Sequence, residues 1–388
     1  MNNFIYDIPV KVYFGENQLQ YLGPEVKIYG TKVLVTYGGG SIKKIGLYDK
    51  VMDELKQMGL EVYEFGGIEP NPRIESVNAA IALCREKGIE VILAVGGGST
   101  IDASKVIGAG FYYDGDAWDL VTRKAPIKNA LPLLTILTLS ATGSEMDAGG
   151  VITKLSTNEK YGIGHDTMLP KVSFLDPTVT YSVNAYQTAC GSVDIISHIL
   201  ELYFNTEPDL KMLDYMMEGL LRTVVEYAPI ALKEPTNYEA RANLMWASSW
   251  AINGFLNGGK RQAWSIHPME HELSAFYDIT HGLGLAQLTP RFLRYCLNEQ
   301  TVSRYVRFGT EVFGIDRTLD PMEIAEQSIQ SLEMFFFETL GLQSTFTEIG
   351  IDRSHFKAMA DKACRGKQIK GFITLKPEDV EKIFEMCL

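Results

Sequence analysis

The chain holds six histidines, and four of them (His198, His267, His271 and His281) fall in its second half with regular spacing. Asp194 and His198 stand four residues apart in residues 191–198, a run that reads as helix, so both side chains leave one face a turn apart. His267 and His271 repeat that spacing, and His281-Gly282 follows ten residues later. One carboxylate with several imidazoles is a donor set for a divalent transition metal such as zinc or ferrous iron. A single Asp/His pair at this spacing is usually an ordinary surface pair. Three further histidines within fifteen residues of a histidine-poor chain tip the reading toward metal. Spacing alone leaves five candidates for about four positions, and His271 suits either a ligand or a proton carrier. His165 and His355 are expected to be structural or exposed.

Glycine carries the second chemistry. Gly96-Gly97-Gly98-Ser99 follows residues 89–95, an apolar run that reads as a parallel strand covered on both faces. It opens residues 100–107, expected to be helical. Glycines let backbone approach a ligand, and a helix N-terminus offers unpaired N–H groups to a phosphate. Ser99 is a candidate cap, and Asp102 and Lys105 lie in the first turns. Gly38-Gly39-Gly40-Ser41 repeats the arrangement after residues 32–37. In the usual dinucleotide fold an acidic residue at such a strand end binds the adenosine ribose and selects NAD. Here that place holds Gly39, with Ser41, Lys43 and Lys44 beyond, so a 2′-phosphate is accommodated and NADP is expected over NAD. Neither loop is G-x-G-x-x-G. By themselves the loops imply only a nucleotide or another phosphate.

Alternating strand-like and helix-like segments must position these loops. Residues 32–37, 60–65, 89–95, 133–139 and 172–175 read as strands. Residues 42–58 read as one helix ended by Gly59, and residues 74–84 as a helix closed by Gly88, with Asn71-Pro72 as its cap and first residue. Consecutive strand–helix–strand units predict a doubly wound α/β domain over residues 1–183. Beyond it, helical stretches at 191–204, 210–232, 238–255 and 322–340 predict an all-α domain over residues 184–388.

Composition narrows the function classes. The chain has 388 residues, 46% of them apolar, and a formal charge of −12. That is enough to bury a core, and its acidity excludes a sequence-independent nucleic-acid binder, which needs a basic stripe. The longest apolar run, residues 130–139, contains Pro132 and is far short of the roughly 20 residues of a membrane span. No secretory signal is read at the N-terminus. Five scattered cysteines without a C-x-x-C pair suit a reduced cytoplasm.

Taken together, Tyr37-Gly-Gly-Gly-Ser41, Phe65-Gly-Gly-Ile-Glu-Pro-Asn-Pro72, Ala94-Val-Gly-Gly-Gly-Ser99 with Asp102 and Lys105, Ala141-Thr-Gly-Ser-Glu145, Lys160, Leu175-Asp-Pro177, Asp194-x-x-x-His198, His267-x-x-x-His271 and His281-Gly282 resemble the iron-containing (group III) alcohol dehydrogenases. The similarity runs from end to end and looks closest to the butanol dehydrogenase and NADPH-dependent aldehyde reductase branch. It implies an α/β Rossmann-like dinucleotide-binding domain followed by an all-α metal-binding domain, the dehydroquinate synthase-like architecture. It also implies metal ligation by Asp194, His198, His267 and His281, with iron and zinc both open, and His271 beside the nicotinamide and metal.

Cofactor contacts implied by the resemblance are Gly38, Gly39, Gly40 and Ser41 near the adenosine end, and Asn71. Gly97, Gly98, Ser99 and Asp102 match the pyrophosphate region, and Thr138, Thr142, Ser144 and Lys160 match further contacts. NAD-preferring relatives carry aspartate where this chain has Gly39, which agrees with the electrostatic expectation of NADP. The activity implied is hydride transfer between NADP(H) and a small alcohol or aldehyde, in a homodimer formed through the Tyr6 to Tyr13 segment. Trp264, Phe255, Leu256, Met269 and Phe276 are candidates for an apolar wall favouring short aliphatic chains. The alternative is a glycerol dehydrogenase-like or dehydroquinate synthase-like enzyme acting on a polar or phosphorylated substrate. It has thin support, since Lys260 and Arg261 are the chief basic residues near the ligands.

Overall fold

The computed structural model describes residues 2–205, 211–260 and 264–388. The chain forms two compact units, one of Asp7–Val183 with Thr236–Asn253, the other of Met1–Tyr6, Asn184–Pro235 and Gly254–Leu388.

The first unit is built on Lys11–Phe14 (β1), Lys32–Tyr37 (β2), Glu61–Phe65 (β3), Val91–Gly96 (β4), Leu133–Leu137 (β5), the hairpin of Gly149–Lys154 (β6) and Glu159–Gly164 (β7), and Val172–Leu175 (β8). Six of these make one sheet in the order β1-β8-β5-β4-β2-β3, with every pair parallel. Side chains alternate across a strand, and here both faces are apolar. Leu34, Ile92, Ala94, Leu133 and Leu137 enter one buried cluster. Val33, Val35, Val91, Leu93, Val95, Leu134 and Ile136 enter the other. Helices cover both faces, which is why β4 reads as an unbroken apolar run. The helices of this part are Leu22–Tyr29 (α1), Ser41–Lys44 (α2), Leu47–Gln57 (α3), Ile74–Lys87 (α4), Gly98–Gly110 (α5) and Trp118–Val121 (α6).

After β2 the chain runs outward to β3, then returns to β4 on the other side of β2. The carboxyl ends of β2 and β4 therefore flank the switch in strand order, where open α/β sheets bind ligands.

The second unit holds Ala185–Tyr203 (α7) and Lys211–Lys233 (α8). Tyr238–Ile252 (α9) departs from it and packs with the α/β unit. Ile266–Tyr277 (α10), His281–Cys296 (α11), Val302–Phe308 (α12), Pro321–Glu333 (α13), Phe356–Ala363 (α14) and Pro377–Glu385 (α15) complete it, with one short hairpin, Ile369–Lys370 (β9) and Thr374–Leu375 (β10). The Asn184 side chain accepts from Gln187 N and starts α7, which is buried from Thr188 to Tyr203. Such a helix is the axis of its unit. Among the described residues no helix is long and apolar enough to cross a membrane.

Local expectations needed three corrections. The helix read over 42–58 is two, α2 and α3, divided at Gly46 with φ 71°. Asn71 is not a cap. Its φ is 52°, Arg73 precedes α4 in extended conformation, and Thr153 N donates to Pro72 O at 2.8 Å, fastening residues 71–73 to β6. Ser99 lies within α5, which starts from Gly97 without a side-chain cap. Of the N-terminal segment expected to form strands, Lys11 to Tyr13 belong to β1, which pairs with β8 and is an edge of the sheet.

Candidate metal centre and nucleotide loops

Asp194 and His198 project from one face of α7, His267 from the first turn of α10, and His281 from the first residue of α11. Their reactive atoms converge on a single oxygen. Asp194 Oδ1 lies 3.5 Å from His198 Nε2, 3.9 Å from His267 Nε2 and 3.6 Å from His281 Nε2. Bonds of about 2.1 Å to a tetrahedral ion would set its ligands roughly 3.4 Å apart, close to what these atoms already show. Asp194 Oδ1 and His267 Nε2 are buried without a hydrogen-bond partner. Asp194, His267 and His281 bring ligand atoms within 4.8 Å of one another, and the His198 ring stacks on His267 with centroids 4.8 Å apart. Buried donors left unsatisfied around one point fit a divalent ion.

Gly282 permits this convergence. A Cβ at that position would come within 2.7 Å of Cys190 Cα, so only glycine lets α11 approach α7 closely enough to bring His281 beside Asp194.

Two residues that sequence reading missed complete the centre. Glu201 Oε2 faces His267 Nδ1 at 2.5 Å, and Glu270 forms a short contact with His281 Nδ1. Glu201 stands seven residues after Asp194 on α7, and that spacing on a face already bearing Asp194 and His198 is the signal that could have found it. Burial works to raise the Asp194 carboxyl, but the three imidazoles outweigh it and hold the group well below the usual carboxylate range. Burial pushes His198 down to about 3. His267, although buried, is raised to about 9 by Glu201 and Asp194.

His271 is half-buried, with its ring 6.2 Å from that of His267 and 6.0 Å from that of His281. Of the wall candidates, Trp264 reaches the ligands, its ring 4.6 Å from that of His267. Leu256 and Met269 are core. Phe255 packs on Tyr6, and Phe276 on His355 and Lys362. Lys260 is buried, and Arg261 lies outside the described residues. His165 Nδ1 pairs locally with Thr167.

In the α/β unit, Gly38, Gly39, Gly40 and Ser41 follow β2, Gly97, Gly98 and Ser99 follow β4, and Thr138 follows β5, all at carboxyl ends of adjacent strands. A Cβ on Gly98 would fall within 2.9 Å of Thr142 Cβ, so the start of α5 needs glycine to lie against that loop. Asn71 Oδ1 accepts from Lys160 Nζ at 2.9 Å. Ser144 Oγ donates to Asp102 Oδ1 at 2.5 Å, and Asp102 Oδ2 accepts from Val151 N at 2.8 Å. Lys105, fully buried, donates to Ser144 Oγ at 2.9 Å, Asp147 Oδ1 at 2.5 Å and Gly149 O at 2.6 Å.

Nearby, Glu145 is fully buried and accepts from Ser249 Oγ. Burial pushes its carboxyl from 4.5 up to about 7. The folded chain thus holds this proton more tightly than the unfolded chain, so the group's stabilisation is complete below about pH 4.5 and is lost as pH rises through about 7. Between those limits the loss amounts to roughly 3 kcal/mol. Glu145→Gln is expected to flatten the fall in denaturation midpoint between pH 5 and pH 8. A variant whose midpoint still falls as steeply contradicts the assignment.

Residues 9–177 match the family model for iron-containing alcohol dehydrogenase, and residues 188–388 match the C-terminal model of the Fe-containing alcohol dehydrogenase family. The chain is 50% identical over 387 residues to NADH-dependent butanol dehydrogenase A of Clostridium acetobutylicum, with 99% of each chain covered. It is 38% identical over 365 residues to the NADPH-dependent aldehyde reductase YqhD of Escherichia coli, with 93% of each covered. The solved structure of NADH-dependent butanol dehydrogenase A from Thermotoga maritima superposes with a TM-score of 0.95 at 37% identity, covering 100% of this chain and 99% of that one. A Rossmann-like parallel sheet, a helical unit with a ready-made donor set and family matches across both halves agree: the chain belongs to the iron-containing alcohol dehydrogenases.

Proposed function

We propose that this oxidoreductase reduces short aliphatic aldehydes such as butanal with NADPH, and oxidises the corresponding alcohols in reverse. Asp194, His198, His267 and His281 would hold a divalent iron or zinc ion. The observation that carries the reading is the convergence of three Nε2 atoms on Asp194 Oδ1, each within 3.9 Å of it. Bound there, the ion would supply Lewis-acid polarisation of the substrate oxygen, and the dinucleotide would supply the hydride. Gly97, Gly98 and Ser99 offer close backbone approach and helix N–H groups to the pyrophosphate. Trp264 gives the ligand region an apolar neighbour. Incubation of metal-loaded protein with butanal and deuterium-labelled NADPH tests the reading. Butanol carrying the label at C1 supports it, and its absence at full metal occupancy overturns it.

His271 is assigned the relay of the alcohol proton to solvent, since its half-buried imidazole neighbours the rings of two candidate ligands. His271→Ala should keep its metal and lose about a hundredfold in turnover. Unchanged turnover sinks the role.

Preference for NADPH follows from the β2 loop. A Cβ at Gly39 would meet nothing within 4 Å, so the position has room for a carboxylate and carries none. Lys43 stands close by, its Nζ 4.9 Å from the Tyr37 ring centroid. The similar proteins include enzymes named for NADH and for NADPH, so the preference rests on these residues. Gly39→Asp should move the NADPH-to-NADH ratio of kcat/KM toward NADH by about tenfold or more, because a carboxylate repels a 2′-phosphate. A ratio that does not move removes the argument. The reading extends to a cytoplasmic homodimer. Five unpaired, buried cysteines suit a reducing compartment, and β1 is an edge strand whose exposed Phe14 is suited to meeting a second copy.

A further inference from the structure

We infer that Glu201 is a positioning residue that fixes the tautomer of the His267 ligand and joins metal ligation to the start of α10. The inference deepens the metal reading above and rests on it. Glu201 is buried, and its two oxygens have different tasks. Oε2 faces His267 Nδ1 at 2.5 Å. Oε1 accepts the backbone N–H groups of Ser265 at 2.7 Å, of Ile266, and of His267 at 3.3 Å.

Oε2 accepts at Nδ1, so the neutral imidazole that metal ligation requires carries its hydrogen on Nδ1. That leaves the Nε2 lone pair directed at the point where Asp194 Oδ1, His198 and His281 converge. The opposite tautomer would turn an N–H into the ligand cluster and prevent coordination through Nε2. Helix α10 has no side-chain cap from its own N-cap residue, Ser265. Glu201 supplies that cap from α7, satisfying N–H groups that a helix start leaves without partners. One side chain therefore sets both where α10 begins and how the imidazole in its first turn is rotated. Asp194, His198 and Glu201 occupy positions i, i+4 and i+7 of α7, so one helix face carries two ligands and the group that orients a third. His198 has no such support, since its Nδ1 is buried without a hydrogen-bond partner. Glu270 gives His281 Nδ1 a comparable partner, and Glu201 joins that task to the start of α10.

The test compares full-length wild type, Glu201→Gln and Glu201→Asp for zinc affinity, by competition with a chromophoric chelator, and for thermal stability in excess EDTA. Glutamine replaces two acceptors by one acceptor and one donor, so it cannot serve both the helix start and Nδ1–H. The expected result is zinc affinity 10- to 100-fold weaker in Glu201→Gln, a largely retained metal-free melting temperature, and partial recovery in Glu201→Asp. Wild type and Glu201→Gln binding zinc equally overturn the inference while leaving the metal reading intact. Wild type that binds no zinc overturns the metal reading and the inference with it. Should Glu201→Gln fail to fold, cadmium-substituted wild type decides. Cadmium–nitrogen coupling at His267 Nε2 supports the inference, and coupling at Nδ1 overturns it.

Discussion

Asp194→Asn is expected to leave the purified chain without its divalent ion and to lower kcat/KM roughly a thousandfold or more. The position explains the size of the effect. Asp194 is buried, and the Nε2 atoms of His198, His267 and His281 all point at its Oδ1. Asparagine keeps the shape but removes the charge that balances a divalent cation in a buried site, where an uncompensated charge is costly. Loss of Lewis-acid stabilisation is worth several kcal/mol, and each 1.36 kcal/mol or so is a factor of ten in rate. Elemental analysis after dialysis, beside kcat/KM, checks both halves of the expectation. Full metal content with wild-type turnover would remove Asp194 from the centre.

Lys105→Met is the second large effect, and it falls on stability. Lys105 lies within α5 with no solvent exposure, and its Nζ binds Ser144, Asp147 and Gly149. The same cluster includes Asp102, whose carboxyl burial pushes up to about 6. Burial also raises Asp147. Removing the cation leaves two partly buried carboxylates without their counter-charge and frees the loop after β5 from α5. Breaking a buried pair from one side costs about 3–5 kcal/mol. Denaturant titration should show a loss of that size near pH 8 and a smaller loss at pH 5, where a protonated Asp102 needs the cation less. A change below about 1 kcal/mol at pH 8 would mean that the cluster contributes no more than a surface pair.

Much of the candidate metal centre was legible because its parts are local. Asp194 with His198 and His267 with His271 are i, i+4 pairs, and helical spacing fixes their faces before any tertiary structure is known. What spacing could not decide was which four of five groups converge, since that depends on α11 closing on α7 at Gly282. Glu201 and Glu270 escaped because a buried carboxylate looks like any other glutamate until its histidine partner arrives from another part of the fold.

The glycine loops proposed for the nucleotide were legible for a related reason. Apolar runs ending in glycine mark the carboxyl ends of buried parallel strands, and β2 and β4 lie side by side. Hairpin β6–β7 was missed because Gly149, Gly150, Gly162 and Gly164 interrupt the period-two pattern that announces a strand. Asn71 followed by Pro72 carries a helix-start signature, yet the pairing with Lys160 and β6 prevails over it. Helix α9 has no local mark of its association with the α/β unit. That association rests on contacts distant in sequence, such as Ser249 with Glu145.

Metal-dependent aldehyde reduction is measured directly by oxidation of NADPH and of NADH with butanal, on chelator-stripped protein and on the same protein reloaded with ferrous iron or zinc. The expected result is no turnover when stripped, turnover restored by metal, and a higher kcat/KM with NADPH. Turnover that survives stripping, or stoichiometric metal binding without turnover on either cofactor, would contradict it.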